Sequence, residues 1–171
     1  VSDIDIQFFR PSEPTVRASL EGVDMVFQKG DHLRPRNMGF IGIQCNERTL
    51  AFWKLVRERI RQTGRWEEII VNELLDEDTT VSHAIFPETI WTPIMASRPT
   101  DIILHHAIAA GVSPKSKLKQ MKKISAMLDR GTFHLFKTKV PGNSLVSQLH
   151  YAKKQYKENG LGPVVFKIVP G

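Results

Sequence analysis

The stretch "SDIDIQFF", Ser2 to Phe9, alternates Ile4, Ile6 and Phe8 with Asp3, Asp5 and Gln7. A two-residue period is that of a β-strand. On a strand, Asp3 and Asp5 project from one face, one pleat apart. Aspartate is depleted in strands, so a pair of them asks for a reason. A solvated strand edge is one. Two hard oxygen ligands at a strand end, holding a divalent cation, are the other.

Working outward, Arg10-Pro11 ends that strand, and the polar residues 12–22 suit a short helix stopped by Gly22. Asp24 to Gln28 reads as a second short strand. The loop "KGDHLRPRN" (29–37) carries glycine, proline and charge. "MGFIGIQC" (38–45) is apolar nearly throughout and reads as a buried strand. Asn46 is placed to cap a helix whose apolar stripe is Leu50, Phe52, Trp53, Leu55, Val56 and Ile60, with Gly64 as its stop. A second helix is predicted from Trp66 to Leu75, with Ile69, Ile70, Leu74 and Leu75 inward. Pro87 and Pro93 break 81–95 into short strands and turns. "DIILHHA" (101–107) reads as a strand, 114–128 as a basic helix, and the tail as a strand near 133–137, a helix near 143–158 and a strand near 164–168. Helices mixed with apolar strands predict an α/β or α+β fold.

The chain has 171 residues, enough for one domain with its own core. No apolar run reaches bilayer length, so no membrane span is expected. Cys45 is the only cysteine, which excludes an intrachain disulfide and fits a reducing compartment; the cytoplasm is the expected location, with the Golgi lumen suiting a longer parent chain. The net charge of +6 favours acidic partners. Lys115, Lys117, Lys119, Lys122 and Lys123 crowd one stretch, where a solvated helix face accounts for most of them. These lysines are not interleaved with aromatics, which argues against a nucleic-acid partner.

Three groups carry chemistry. Asp3 and Asp5 are the first. His105 and His106 are the second. One imidazole with two carboxylates suits Mn²⁺ or Mg²⁺ better than a softer metal. Neighbouring residues on a strand face opposite ways, so one histidine of the pair can ligate and the other packs. Lys115 is the third: a lysine at a helix N-terminus neutralises phosphate oxygens.

Four segments in this order resemble the nucleotide-diphospho-sugar transferase family, the DxD-type glycosyltransferases of GT-A fold. "SDIDIQFF" looks like its DxD strand. "DMVFQKGD" (24–31) followed by "RNMGFIGIQCNERTLAFW" (36–53) looks like its next block, and "WEEIIVNELL" (66–75) like its Asp-Gln-x-x-x-Asn-x-Leu-Leu helix. "ILHHAIAAGVSPKSKL" (103–118) is similar to its closing His-His-Ala block with Gly and Lys. The likeness covers residues 1 to about 128, with 129–171 as an extension of the same domain.

The resemblance implies a GT-A-like mixed sheet flanked by helices, and transfer of a sugar from a nucleotide-diphosphate donor, a UDP-sugar first, to a sugar or protein hydroxyl with retained configuration. It implies metal ligation by Asp3, Asp5 and one of His105 and His106, with Mn²⁺ or Mg²⁺ as cofactor. Asp3 would also touch the donor ribose, Asn37 and Gly39 would line the donor-sugar pocket, and Lys115 would hold the diphosphate. Glu67 and Glu68 stand where the family has Asp-Gln, facing the sugar. A carboxylate at Glu68 suits a nucleophile or a stabiliser of positive charge on the ring; both glutamates also suit the first turn of a helix. The family's nucleotide-binding strands precede its DxD strand, and here only Val1 does, so a partial or permuted domain is expected. The rival expectations are a catalytically silent transferase-like interaction module and, further off, a basic nucleic-acid-binding protein.

Overall fold

The computed structural model describes residues 1–31, 33–77, 80–95, 98–108 and 113–136. The chain divides into two compact units, Val1–Val140 and Pro141–Gly171, and every described residue lies in the first. The predicted helix near 143–158 and strand near 164–168 lie outside the described residues.

The first unit is mixed α/β. Among the described residues, strands β1 (Ile6–Phe8), β2 (Met25–Lys29), β3 (Arg36–Ile43), β4 (His83–Ile85), β5 (Ile90–Trp91) and β6 (Leu104–His106) alternate with helices α1 (Glu13–Ser19), α2 (Glu47–Thr63), α3 (Glu67–Glu77) and α4 (Pro114–Asp129). They build two small mixed sheets. One has the order β1-β6-β5 and the other β3-β2-β4. β1 runs antiparallel to β6 and β5 parallel to it; β3 runs antiparallel to β2 and β4 parallel to it.

Local signals set the helix ends. Asn46 and Thr49 form a reciprocal capping box at the start of α2, and Gly64 ends it at φ +64°, a conformation that costs glycine little. Proline occupies the first turn of α4 and Ser113 caps it, accepting from Ser116 N at 3.1 Å.

The core of the β3-β2-β4 sheet is closed by α2 and α3: Phe27, Ile70 and Val71 are fully buried there, with Phe52, Val56, Leu74 and Leu75 around them. Each large side chain removed from water in this way contributes roughly 1.5–3 kcal/mol. The inward stripe of α2 is Thr49, Phe52 and Val56, with Trp53 and Ile60 partly covered. Leu50 and Leu55, predicted to be in it, face solvent; they sit off the i, i+3, i+7 line that meets the sheet. The predicted strand near 133–137 is instead a 3-10 turn, Phe133–Leu135, whose Phe133 packs edge-on against Trp91 at 4.9 Å between ring centres. With Ile102 and Ile124 it extends the core beyond residue 128.

Two departures from the predicted strands create the candidate site. The opening segment is not one strand. Residues 4 and 5 turn, and only Ile6–Phe8 are extended against β6. Before the turn, Ser2 pairs with Phe40 of β3: Asp3 N donates to Gly39 O at 2.7 Å and Ile41 N to Val1 O at 3.0 Å. After it, Ala107 N donates to Asp5 O at 3.0 Å. The first residues therefore bridge the two sheets. Ile4, read as part of the strand, sits fully exposed at the turn.

The second departure is a bulge. Phe27 pairs with Ile41 but Gln28 pairs with Asn37, which leaves Met38, Gly39 and Phe40 outside the β2 register. Bulges re-aim side chains next to functional sites. This one turns Gly39 and Phe40 toward the opening segment.

Candidate metal centre

The turn, the bulge and β6 bring Asp3, Asp5 and His106 together. One ligand atom from each lies within 4.8 Å of the others. His106 Nε2 is 3.3 Å from Asp5 Oδ1 and 3.6 Å from Asp3 Oδ2. Asp3 is exposed, whereas Asp5 and His106 are nearly covered. Each comes from a different piece of backbone: Asp3 from the pairing with β3, Asp5 from the turn, His106 from β6.

His106 is oriented from behind. Its Nδ1–H donates to Gln28 Oε1 at 2.8 Å, and Gln28 is wholly buried. That bond leaves the Nε2 lone pair aimed at the two aspartates. Burial pushes the ring's pKa down to about 4 against the pull of Asp5, so the ring is neutral near pH 7. With Nδ1 turned to Gln28, Nε2 is the ring nitrogen that faces the two carboxylates, and a cation placed there would be shared by all three. The donor set, one imidazole nitrogen and carboxylate oxygens, suits Mn²⁺ or Mg²⁺.

Partners behind a metal-binding imidazole commonly matter 10–100-fold in affinity. Gln28 Nε2 is buried without a hydrogen-bond partner among the described residues, so its loss costs little. Gln28→Met leaves the buried Nδ1 of His106 without its partner, so it is expected to cost about 1–3 kcal/mol of stability and to bind Mn²⁺ about 10–100-fold more weakly. Mn²⁺ titrations followed by thermal denaturation check this.

His105 projects the other way. Its ring lies 5.5 Å from that of Trp91, centre to centre, and its Nε2 meets Gln120 Oε1 of α4 at 3.1 Å. Burial lowers its pKa to about 4 as well. Of the two histidines, His106 joins the aspartates and His105 packs, following the strand's alternation.

Lys115 is exposed on the first turn of α4 and is not the lysine that reaches the cluster. Lys117 is: its Nζ donates to Asp5 Oδ2. Burial works against ionisation of Asp5, but the Lys117 ammonium and the His106 side chain outweigh it and hold its carboxyl below the usual range. Asp3 moves the opposite way, pushed up by desolvation and by the charges of Asp5 and Glu67, with Lys117 opposing.

Glu67 and Glu68 form the first turn of α3, as predicted. Glu68 has both oxygens engaged. Oε2 accepts from Asn37 Nδ2 at 2.8 Å and from Met38 N at 3.4 Å, while Oε1 pairs with Arg34 Nε at 3.4 Å. Burial raises its pKa even so. Asn37 in turn accepts from Gly39 N at 2.9 Å, so Glu68 helps to shape the bulge. One turn on, the buried Asn72 donates to Arg36 O and accepts from Arg36 N, at 2.8 and 3.1 Å. A polar residue inside an apolar helix stripe was the signal for Asn72, as was a polar residue ending an apolar strand for Gln28. The place of Gly39 is set by His106: a Cβ there would lie 1.9 Å from His106 Cε1.

No family model, no curated protein and no solved structure matches this chain. Among the described residues, no helix is long and apolar enough to cross a membrane.

Proposed function

We propose that this chain carries the metal-binding part of a GT-A-like glycosyltransferase, which moves a sugar from a nucleotide-diphosphate donor to an acceptor hydroxyl with retention. The observation that supports it is the meeting of the neighbouring Asp3 and Asp5 with His106, far along the sequence, so that their ligand atoms lie within 4.8 Å of one another. Asp3, Asp5 and His106 Nε2 would hold Mn²⁺ or Mg²⁺, and the bound ion would offset negative charge that grows on the departing diphosphate.

In this reading the protein's own groups have distinct tasks. Gln28 fixes the tautomer of His106 through Nδ1. Glu68, with its oxygens on Asn37, Met38 and Arg34, is a positioning residue that holds the Asn37–Gly39 wall toward the donor sugar. Glu67 stands free of that network and adds negative charge beside Asp3. Lys115, exposed at the α4 N-terminus, faces outward to meet phosphate oxygens.

A second reading has an observation in its favour. Lys117 already neutralises Asp5, which suits a transferase-like module that binds no metal and serves as an interaction domain.

Mn²⁺ separates the two, because a ligand that binds only the folded state raises its stability, by about 2.7 kcal/mol at one hundred times its Kd. The transferase reading expects Mn²⁺ to raise the melting temperature and to support turnover of a UDP-sugar, with both effects lost in Asp5→Ala and His106→Ala. Turnover equal in wild type and Asp5→Ala, or absent from both, would sink it.

A further inference from the structure

Lys117 holds one oxygen of Asp5 while the other faces His106 Nε2 at 3.3 Å. The Asp5 side chain is only 11% exposed, so little water screens it. Its charge balance at this point is local: Lys117 is the ammonium in contact with the carboxylate. With Asp3 and Asp5 ionised and Lys117 on Asp5, the group carries one net negative charge. A dication entering beside Lys117 would turn that into one net positive charge, with two like charges on a single carboxylate. A dication entering as Lys117 leaves makes the group neutral.

The helix that carries Lys117 is anchored along its C-terminal part. Ile124 is the one fully buried side chain of α4. Its other apolar anchors, Met127 and Leu128, are partly buried against the Trp91 cluster, and two polar contacts lie between them and Lys117: Gln120 to His105 at 3.1 Å, and Gln7 Nε2 donating to Ser125 Oγ at 2.6 Å. All of these lie C-terminal to Lys117, so the first turn of α4 can shift while the rest of the helix stays seated. The lysine stem is flexible and its head is part-exposed, at 31%.

We propose that Lys117 is a resident counter-ion: it neutralises Asp5 while no divalent cation is bound, competes with that cation for the carboxylate, and is released when the cation binds. Metal loading and the setting of the α4 N-terminus are thereby linked. This rests on the metal-binding reading above. It adds that Lys117 offsets part of the site's negative charge, so Asp3 and Asp5 stay close together without an ion.

The test uses Mn²⁺ alone, with free Mn²⁺ counted by its electron paramagnetic resonance signal, on wild type, Lys117→Met and Asp5→Asn. Lys117→Met keeps an apolar stem of similar length and removes the charge. It is expected to bind Mn²⁺ about tenfold more tightly than wild type, and Asp5→Asn to bind little. A second measurement needs no variant. Acetic anhydride labelling of the wild-type chain, read at Lys117 by peptide mass spectrometry, is expected to increase when Mn²⁺ saturates the site. Equal or weaker binding by Lys117→Met, or labelling of Lys117 that Mn²⁺ does not raise, overturns the counter-ion role and leaves the metal site intact. No binding by either wild type or Lys117→Met overturns both.

Discussion

Gly39→Ala is expected to lose Mn²⁺ binding and about 1–3 kcal/mol of stability, as an overpacked core site does. The added Cβ would lie 1.9 Å from Cε1 and 2.3 Å from Nδ1 of His106, and 2.9 Å from Oδ1 of Asn37. Contacts that close do not occur, so one partner must move. His106 has no room to withdraw: its ring is 2% exposed and Nδ1 is held by Gln28. The backbone has none either, since Gly39 O accepts from Asp3 N at 2.7 Å, and moving it drags a metal-ligand candidate along. Urea denaturation with and without Mn²⁺ reads both effects. A variant that keeps the wild-type response to Mn²⁺ would show that His106 does not hold the ion.

Removing the carboxylate of Asp24 is expected to cost about 2–3 kcal/mol, because it leaves buried donors without an acceptor. Asp24 is 3% exposed at the start of β2. Its Oδ1 accepts from Asn46 Nδ2 at 2.8 Å and from Arg48 Nη2 at 2.6 Å; its Oδ2 accepts from Ser82 N at 3.0 Å and Ser82 Oγ at 2.9 Å. One side chain thus ties β2 to the cap of α2 and to the entry of β4. The Arg48 side chain is 64% exposed, so the ion pair alone is worth little, and most of the cost lies with the covered groups.

Bonding to Arg48 is the main cause that holds Asp24 well below the usual carboxylate range, with burial opposing and Asn46 and Ser82 assisting. A depressed carboxylate stabilises the fold above its unfolded pKa of about 3.9 and loses that contribution as the pH falls through the folded value. The gap between wild type and Asp24→Ala is therefore expected to be full at neutral pH and to narrow below about pH 4. Denaturant midpoints measured across that range check it. A gap that stays constant into acid would place the stabilisation outside the carboxylate's charge.

Much of the architecture could be read locally. Asn46, Gly64 and Ser113-Pro114 act through their own turns of chain, so the bounds of α2 and the start of α4 follow from composition. The site was only partly legible. The period of Ile4, Ile6 and Phe8 suits a strand, yet Ile4 lies at a turn, because Asp3 bonds to β3 and Asp5 to the residue after β6. No local pattern announces that change of partner. The bulge at 38–40 likewise depends on which strand Phe40 meets. The contacts that define the centre, Gln28 with His106 and Lys117 with Asp5, join residues 78 and 112 positions apart. Residue types suggested the acids and the imidazole; only the fold brings His106, and not His105, beside the aspartates and sets Lys117 on Asp5.

The opening segment is shared between the sheets, with Asp3 stitched to one and Asp5 to the other. The two carboxylates are thus a strain gauge set across a seam. Any ion gripped by both acts as a rivet between halves that are otherwise sewn by separate ladders, and any force parting those halves is felt first as a change in the gap that the ion must fit.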